Sequence, residues 1–195
     1  SDVDEFDVGV VSDSDAVTNA VAENAATNTI VGVTALASDA DATTNAITYS
    51  LDDTAGGRFK IDSVSGVVTV DNGTLLDREA NASHNITVRA TSSDGSFNTG
   101  VMMVNVNDVD EFDVGAVSDT DVAMESVAEN AAIGTTVGIT ASASDDDATN
   151  NAISYSLQDN DGGRFAINAG TGVVTVAGAI DREADGPSRN ITVRA

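Results

Sequence analysis

Ile47-Thr48-Tyr49-Ser50-Leu51 alternates apolar and polar side chains, and the pattern returns as Ile153-Ser154-Tyr155-Ser156-Leu157. A period of two marks a half-buried β-strand, because successive side chains point to opposite faces of a sheet. Outward from this stretch, short β-branched runs bounded by Gly, Asn and Asp recur about every 8–12 residues. In the first half they are Val8–Val11, Thr29–Leu36, Ala46–Leu51, Arg58–Ile61, Val67–Val70, Asn85–Ala90 and Gly100–Asn105. Ser65-Gly66 and Thr171-Gly172 fall between short runs and read as hairpin turns, where Gly accepts a positive φ. No segment of useful length carries a helical period. Roughly seven strands per hundred residues is the number of an antiparallel Greek-key sandwich, so the predicted fold class is all-β.

The strand pattern belongs to a duplication. Ser1-Asp2-Val3-Asp4-Glu5-Phe6-Asp7-Val8-Gly9 returns as Asn107-Asp108-Val109-Asp110-Glu111-Phe112-Asp113-Val114-Gly115. Val21-Ala22-Glu23-Asn24-Ala25-Ala26 returns as Val127-Ala128-Glu129-Asn130-Ala131-Ala132, and Asp77-Arg78-Glu79 as Asp181-Arg182-Glu183. Repetition over this length means one domain used twice, here two tandem sandwiches at 1–107 and 108–195. Residues 1–6 repeat the junction at 107–112 and read as the remainder of a preceding linker. Ile191-Thr192-Val193-Arg194-Ala195 matches residues 86–90, so the second copy has no counterpart of 91–106. The chain therefore reads as a piece of a longer array, with the last strand of its second sandwich missing and a neighbouring edge left open.

Composition narrows the function classes. The 195 residues carry 32 acids against 8 bases, a formal charge of −24, with no cysteine and no tryptophan. Self-repulsion of that size opposes a compact state unless cations neutralise it, and it makes nucleic acid and anionic membrane poor partners. No disulfide can staple these small domains, and thin cores without disulfides often rely on metal instead. No run of about 20 apolar residues exists to span a bilayer, so no membrane insertion is expected of this stretch.

Within each copy the acids fall at strand ends and loops. Glu23 stands near the start, Asp39-Ala40-Asp41 follows the second run, Asp77 and Glu79 lie in a later loop, and Asn107-Asp108-Val109-Asp110 forms the junction. Hard cations such as Ca²⁺ take six to eight oxygens from carboxylates, carbonyls and water, and loops have carbonyls to spare. Each element has an ordinary reading as well. An Asp-x-Asp is most often a solvated turn. Asp77-Arg78-Glu79 reads equally as a surface ion-pair knot, and Glu23 as an exposed strand residue. Their joint spacing, given twice, points to metal. Asp13 and Asp15, in an unusually long path before Val21, read as a solvated loop ahead of a further ion site.

Val21-Ala22-Glu23-Asn24, Ala35-Leu36-Ala37-Ser38-Asp39-Ala40-Asp41, Ile47-Thr48-Tyr49-Ser50, Phe59-Lys60-Ile61, Leu76-Asp77-Arg78-Glu79, Val88-Arg89-Ala90 and Asn105-Val106-Asn107-Asp108 together resemble a cadherin repeat. The style, rich in Ala, Asp and Thr and free of cysteine, is similar to the cadherin-like repeats of large bacterial surface and secreted adhesins. The resemblance implies Ca²⁺ at the junction between domains. Glu23, Asp77 and Glu79 would come from the first domain, with Asp108 and the carbonyls of Val106 and Asn107 from the linker. Asp145, Asp147 and the carbonyl of Asn151 would come from the second, and Glu23, Glu79 and Asp108 would bridge two neighbouring ions. The chain departs from the family pattern in places. Val109 replaces an Asn, which leaves Asp110 to take over its ligand role. Ser92 stands where an Asp is expected, with Asp94 displaced by two. Two ions are expected at the junction and a third is in doubt. The terminal half-sites, Asp2, Asp4, Asp39 and Asp41 at one end and Glu129, Asp181 and Glu183 at the other, are expected to be weakly filled or empty.

Catalysis has little support, and no catalytic residue is assigned. One histidine, His84, and no cysteine cannot furnish a repeated nucleophile–base site. Gly56-Gly57 and Gly162-Gly163 lack the Lys and helix start of a phosphate loop; they read as turns before the core residues Phe59 and Phe165. Asn85-Ile86-Thr87 and Asn190-Ile191-Thr192 fit the glycan acceptor pattern but read as strand starts. The leading function is therefore an extracellular, Ca²⁺-stiffened adhesive rod. Its partners would be neighbouring repeats of the same chain and a cell-surface protein or polysaccharide. The alternative is a calcium-dependent carbohydrate- or protein-binding module, against which stands the scarcity of aromatics.

Overall fold

The structure is a computed structural model that describes residues 6–195; Asp2 and Asp4 lie outside the described residues. It divides into two compact units, one ending at Val109 and the other running from Asp110 to Ala195. The first contains β1 (Ser12–Asp13), β2 (Ala20–Ala22), β3 (Ile30–Leu36), β4 (Ile47–Asp53), β5 (Phe59–Ile61), β6 (Val67–Val70), β7 (Ser83–Ser92) and β8 (Phe97–Asn107). The second contains β9 (Ser118–Asp119), β10 (Thr136–Ser142), β11 (Ser156–Asp159), β12 (Phe165–Ile167), β13 (Val173–Val176), the single helical turn α1 (Arg182–Asp185) and β14 (Thr192–Arg194). The all-β expectation holds for both.

In the first unit two four-stranded sheets form, with orders β1-β3-β6-β5 and β2-β8-β7-β4. Alternation does what the sequence asks of it. On β7 Ile86, Val88, Ala90 and Ser92 are buried while the residues between them are not. Ile86, Val88 and Ala90 meet Val31 and Val33 of β3, Phe59 of β5 and Val68 and Val70 of β6, the last five all 1 % exposed or less, in one apolar cluster. Tyr49 also lies in this core, and its hydroxyl accepts from the Ala37 N–H at 3.1 Å. Tyr155 repeats that bond with Ala143, although the strand expected over 153–157 is displaced to β11.

Two strand expectations need correcting. Val8 and Val11 are buried, but residues 8–11 form no strand. The Val8 N–H goes to the Ser96 hydroxyl and the Gly9 N–H to the Ser38 carbonyl, so no continuous ladder runs along them. Conversely, β2 was not legible as a strand. Its three residues pair in parallel with Asn105–Asn107 of β8, and so short a run carries no period.

The long path before Val21 also has a physical purpose. Register shifts between Ile30 and Thr34 of β3, leaving the Thr34 N–H without a ladder partner. The Asp13 carboxylate accepts from that N–H and from Asp15 N–H, both at 3.0 Å. Asp119 repeats the device on Thr140 and Asp121, both at 2.9 Å. Within the bulge Gly32 has φ +80°, and a Cβ there would lie 2.6 Å from the Thr18 carbonyl oxygen. Only glycine tolerates both the angle and the approach. Asp13 is thus a backbone partner.

The second unit has the sheet β12-β13-β10-β9 and a separate pair β11-β14. Its buried cluster is Val137, Phe165, Val174 and Val176, with Val127, Ile139, Leu157, Ile180 and Ile191 only partly covered. Burying a Val, Leu, Ile or Phe side chain is worth about 1.5–3 kcal/mol, so the less-covered core is the weaker one. Differential scanning calorimetry of the 195-residue chain in chelator should resolve two transitions, with the second unit melting first. Proteolysis during the lower transition should cut within 110–195; cuts confined to the first unit would reverse the assignment.

Candidate metal centre

At the end of β2 the chain turns at Asn24, whose φ of +54° is in the left-handed region, as is Asn130 at +56° in the second unit. Asn adopts that region more readily than most residues, which accounts for its place after Glu in both copies. The turn follows Glu23, which is 2 % exposed. Its Oε2 accepts from the Arg78 backbone N–H at 2.7 Å and its Oε1 from the Val109 N–H at 2.8 Å. Its own N–H donates to the Asn107 carbonyl at 3.0 Å. Glu23 is therefore buried and bonded, which excludes the exposed-strand reading.

Asp77, Arg78 and Glu79 follow a short 3-10 turn at Gly73–Leu75. The Arg78 guanidinium donates to the carbonyls of Val106 at 2.9 Å and Ala82 at 3.1 Å, so it clamps β8 to its neighbouring loop. Pointing the arginine inward leaves its acidic neighbours to the other side. Glu23, Asp77 and Glu79 each place an oxygen within 4.8 Å of the others. Asp77 Oδ1 also accepts from Ala80 N–H at 2.7 Å. Both linker carbonyls named from the sequence are already engaged, Asn107 by Glu23 N–H and Val106 by the Arg78 guanidinium. A carbonyl keeps a second lone pair, but the guanidinium puts a cation beside Val106.

In the second unit Asp147 is 2 % exposed. Its Oδ1 accepts from the Glu111 and Phe112 N–H groups at 3.3 Å, and its N–H donates to Asp145 Oδ1 at 3.2 Å. Its Oδ2 is buried with no hydrogen-bond donor. Asp110 is drawn to the same place. Its carboxyl is pushed above the usual carboxylate range, first by a hydrogen bond with Asp147, then by the charge of Asp147, by desolvation and by the charges of Asp145 and Asp113. Such crowding favours proton uptake or a cation. Asn151 stands exposed in the loop that follows.

The other end of the first unit repeats the theme. Asp39, Asp41 and Asp94 place oxygens within 4.8 Å of one another, and Oδ2 of both Asp39 and Asp94 is buried without a donor. Asp41 is 3 % exposed and its N–H donates to Asp39 Oδ1 at 3.0 Å. Asp39 sits below the usual range, held first by the Ser92 hydroxyl and then by the Asp41 N–H. Asp94 stands two residues beyond the position at which the family pattern expects an Asp. The β7–β8 turn restores it: Gly95 at φ +101° and the bond from Ser92 N–H to the Ser96 carbonyl fold the chain back. The signal was Asp94-Gly95 between two strand runs. Glu129, Asp181 and Glu183 form a fourth group, fully exposed, with Glu129 Oε2 accepting from Arg182 N–H at 3.3 Å.

These oxygens suit a hard cation: carboxylates converge, and Oδ2 of Asp39, Asp94 and Asp147 is buried without a hydrogen-bond donor. Ca²⁺, when bound, would supply the positive charge that this convergence lacks. The remaining candidates are structural. His84 lies beside Phe59, and burial, then the charge of Arg58, hold its imidazole below the usual histidine range. Phe59 and Phe165 lie in the cores, as expected.

Comparison with known proteins agrees with this geometry. The cadherin domain profile matches residues 18–107 and 124–195. The chain is 36 % identical over 151 residues to human protocadherin Fat 4, covering 76 % of this chain and 3 % of that protein. Mouse cadherin-23 is 36 % identical over 143 residues, which is 70 % of this chain and 4 % of the relative. A crystal structure of mouse cadherin-23 EC22-24 superimposes with a TM-score of 0.75 at 27 % identity, over 99 % of this chain and 60 % of that one. The chain thus spans only a few per cent of these curated relatives. They are animal proteins and lend no support to the bacterial resemblance.

Two outcomes test the site. Replacing Glu23 by Ala leaves two part-buried N–H groups without their acceptor, so chemical denaturation should show a loss of about 1–3 kcal/mol in the first unit even in chelator. The raised Asp110 carboxyl gives the opposite sign from a stabilised acid. Without metal, stability of the second unit should fall as pH rises from the ordinary value of 3.8 through the raised one, because the native state there binds more protons. Asp110→Asn should flatten that slope in pH-dependent melting; an unchanged slope would remove Asp110 from the cluster.

Proposed function

The chain belongs to the cadherin domain family, and on that footing we propose that it is a pair of calcium-binding extracellular repeats, stiffened by Ca²⁺ as part of a rod in a cell-surface adhesion protein. The observation that carries the reading is Asp147, a buried carboxylate with one oxygen that meets no donor and with Asp110 crowded against it. The proposed junction draws Glu23, Asp77, Glu79, Asp108 and the Asn107 carbonyl from one unit. Asp110, Asp145, Asp147 and the Asn151 carbonyl come from the other. Two ions is the proposed count, with the Val106 carbonyl the weakest ligand because Arg78 already meets it.

Without metal these carboxylates repel one another and the joint is free to flex. With it, each ion ties ligands of both units, and the angle between them is fixed. Extracellular Ca²⁺ modules work at Kd values of about 10⁻⁴–10⁻³ M, so millimolar calcium outside a cell would stabilise the bound form by mass action. Adhesion-domain membership also speaks against an enzyme. The partners proposed are neighbouring repeats of the parent protein and a cell-surface protein or polysaccharide. The absence of cysteine and the Ala-, Asp- and Thr-rich composition are what support a parent of the bacterial adhesin type.

A calcium titration followed by small-angle scattering tests the stiffening. Wild type should pass from a broad to a narrow distribution of lengths as calcium reaches the millimolar range. Asp108→Ala should need at least tenfold more calcium. The same profile in calcium and in chelator would overturn the reading.

A further inference from the structure

β7 and β8 contain no acid, although the chain carries 32 acids in 195 residues. The two strands pair continuously from Ser83↔Asn105 to Thr91↔Phe97, and their inward residues fill the core of the first unit. On the outward side of β8 stand Phe97, Val101 and Met103, which are 54 %, 68 % and 52 % exposed. Their cross-strand neighbours on β7 are Thr91, Thr87 and Asn85. Single exposed apolar residues are ordinary, but three in line on one strand mark a contact surface. At about 3.3 Å per residue the row extends over about 20 Å.

Apart from His84, the one ionisable side chain of these strands is Arg89, and it is already matched. Its Nε and Nη2 donate to the Asp52 carboxylate of β4 at 2.8 and 2.7 Å. Its guanidinium carbon lies 4.0 Å from the centre of the Phe97 ring. The carboxylate fixes the guanidinium plane, and the guanidinium holds the ring by a cation–π contact. Phe97 is therefore set in place while more than half of it stays in solvent, which lowers the ordering cost of burying it against a partner.

Charge decides what that partner is. With a formal charge of −24, two copies of this chain repel wherever their acids face one another. The outward face of β7 and β8 is where they approach without that cost. The row also complements itself. A two-fold axis between Thr99 and Val101 sets Phe97 of each copy opposite Met103 of the other, a favourable sulfur–aromatic pairing, and Val101 opposite Thr99. Sheets stacked in this way lie about 10 Å apart with their side chains interdigitated.

We propose that the outward face of β7 and β8 is a self-association surface, on which two copies of the chain pack sheet to sheet about a two-fold axis. The proposal rests on the adhesive reading for its biological setting but not for its geometry. A row of about 20 Å on two strands about 4.8 Å apart covers less than the roughly 800 Å² per partner of a stable complex, so one such contact is weak. Many chains presented together would add their contacts by avidity.

Sedimentation equilibrium of the whole 195-residue chain in calcium, at up to about 1 mM protein, tests this. Expected is a reversible monomer–dimer equilibrium that tightens as salt rises from about 0.1 to about 0.5 M, because screening weakens the repulsion between acidic copies and spares an apolar contact. Val101→Asp should weaken the dimer at least tenfold with an unchanged melting profile. Val64→Asp, at an exposed valine in the turn between β5 and β6, should leave it within twofold of wild type. The chain has no cysteine, so Val101→Cys gives each copy a single thiol. A short bismaleimide should join two such chains at least tenfold faster than it joins the Val64→Cys variant. A monomer throughout, a dimer indifferent to Val101→Asp, a dimer loosened by salt, or equal cross-linking of the two cysteine variants would each overturn the proposal. None of these readouts depends on the stiffness of the joint between repeats, so this contact and the calcium reading fail separately.

Discussion

The seating of β8 is the constraint on which the rest of the first unit depends. That strand closes the core with Met102, Val104 and Val106, and it also fixes the acidic end of the repeat. The Asn107 carbonyl receives the Glu23 N–H, the Val109 N–H returns to the Glu23 carboxylate, and the Val106 carbonyl holds Arg78. Three elements distant in sequence, near 23, 78 and 107, are tied at one point by these bonds. Glu79 and Asp77 sit where they do because Arg78, between them, faces the other way. Packing and site geometry are thus one structure: loosening the strand would unseat the ligands, and removing Glu23 would loosen the exit of the strand.

The arginine in Asp77-Arg78-Glu79 clarifies why an acid–base–acid triplet occurs there. A simple ion-pair knot would neutralise the acids it separates. Instead the guanidinium donates to the carbonyls of Ala82 and of buried Val106, and the second of these would carry a cost if left unmet.

Much of this was legible from sequence because it rests on local rules. Period-two alternation placed β3 to β8 to within a few residues, and the duplication gave two sandwiches. The acids at strand ends pointed to metal, and the resemblance to a cadherin repeat implied the ligand set. What was not legible depends on partners far along the chain. β2 is a strand only because β8 lies beside it, and Val8–Val11 fails to be one because its N–H groups find Ser96 and Ser38 instead. Asp94 joins Asp39 and Asp41 through the geometry of a four-residue turn that residue counting cannot see. Asp13, which reads from sequence as part of a solvated loop, has its partner in the N–H of Thr34 at the bulge in β3.

Asp13 also gives the rule that separates the acids of this chain. Its carboxylate is met by two backbone N–H groups, as are those of Asp62 and Asp119. Such acids are turn punctuation, favoured because a short side chain can bond its own backbone two residues on. Asp39, Asp94 and Asp147 differ. One oxygen of each accepts from backbone N–H groups, and the other is buried without a donor. Burying an unpaired carboxylate oxygen is expensive, and it persists where a stronger partner replaces the missing donor. Asp161 shows the ordinary solution, since its Oδ2 lies 3.5 Å from Arg189. Eight bases cannot do this for 32 acids. In a chain so poor in cationic side chains, the donor-free oxygens of Asp39, Asp94 and Asp147 lie among other carboxylates, and crowding of like charges is relieved by a proton or by a cation.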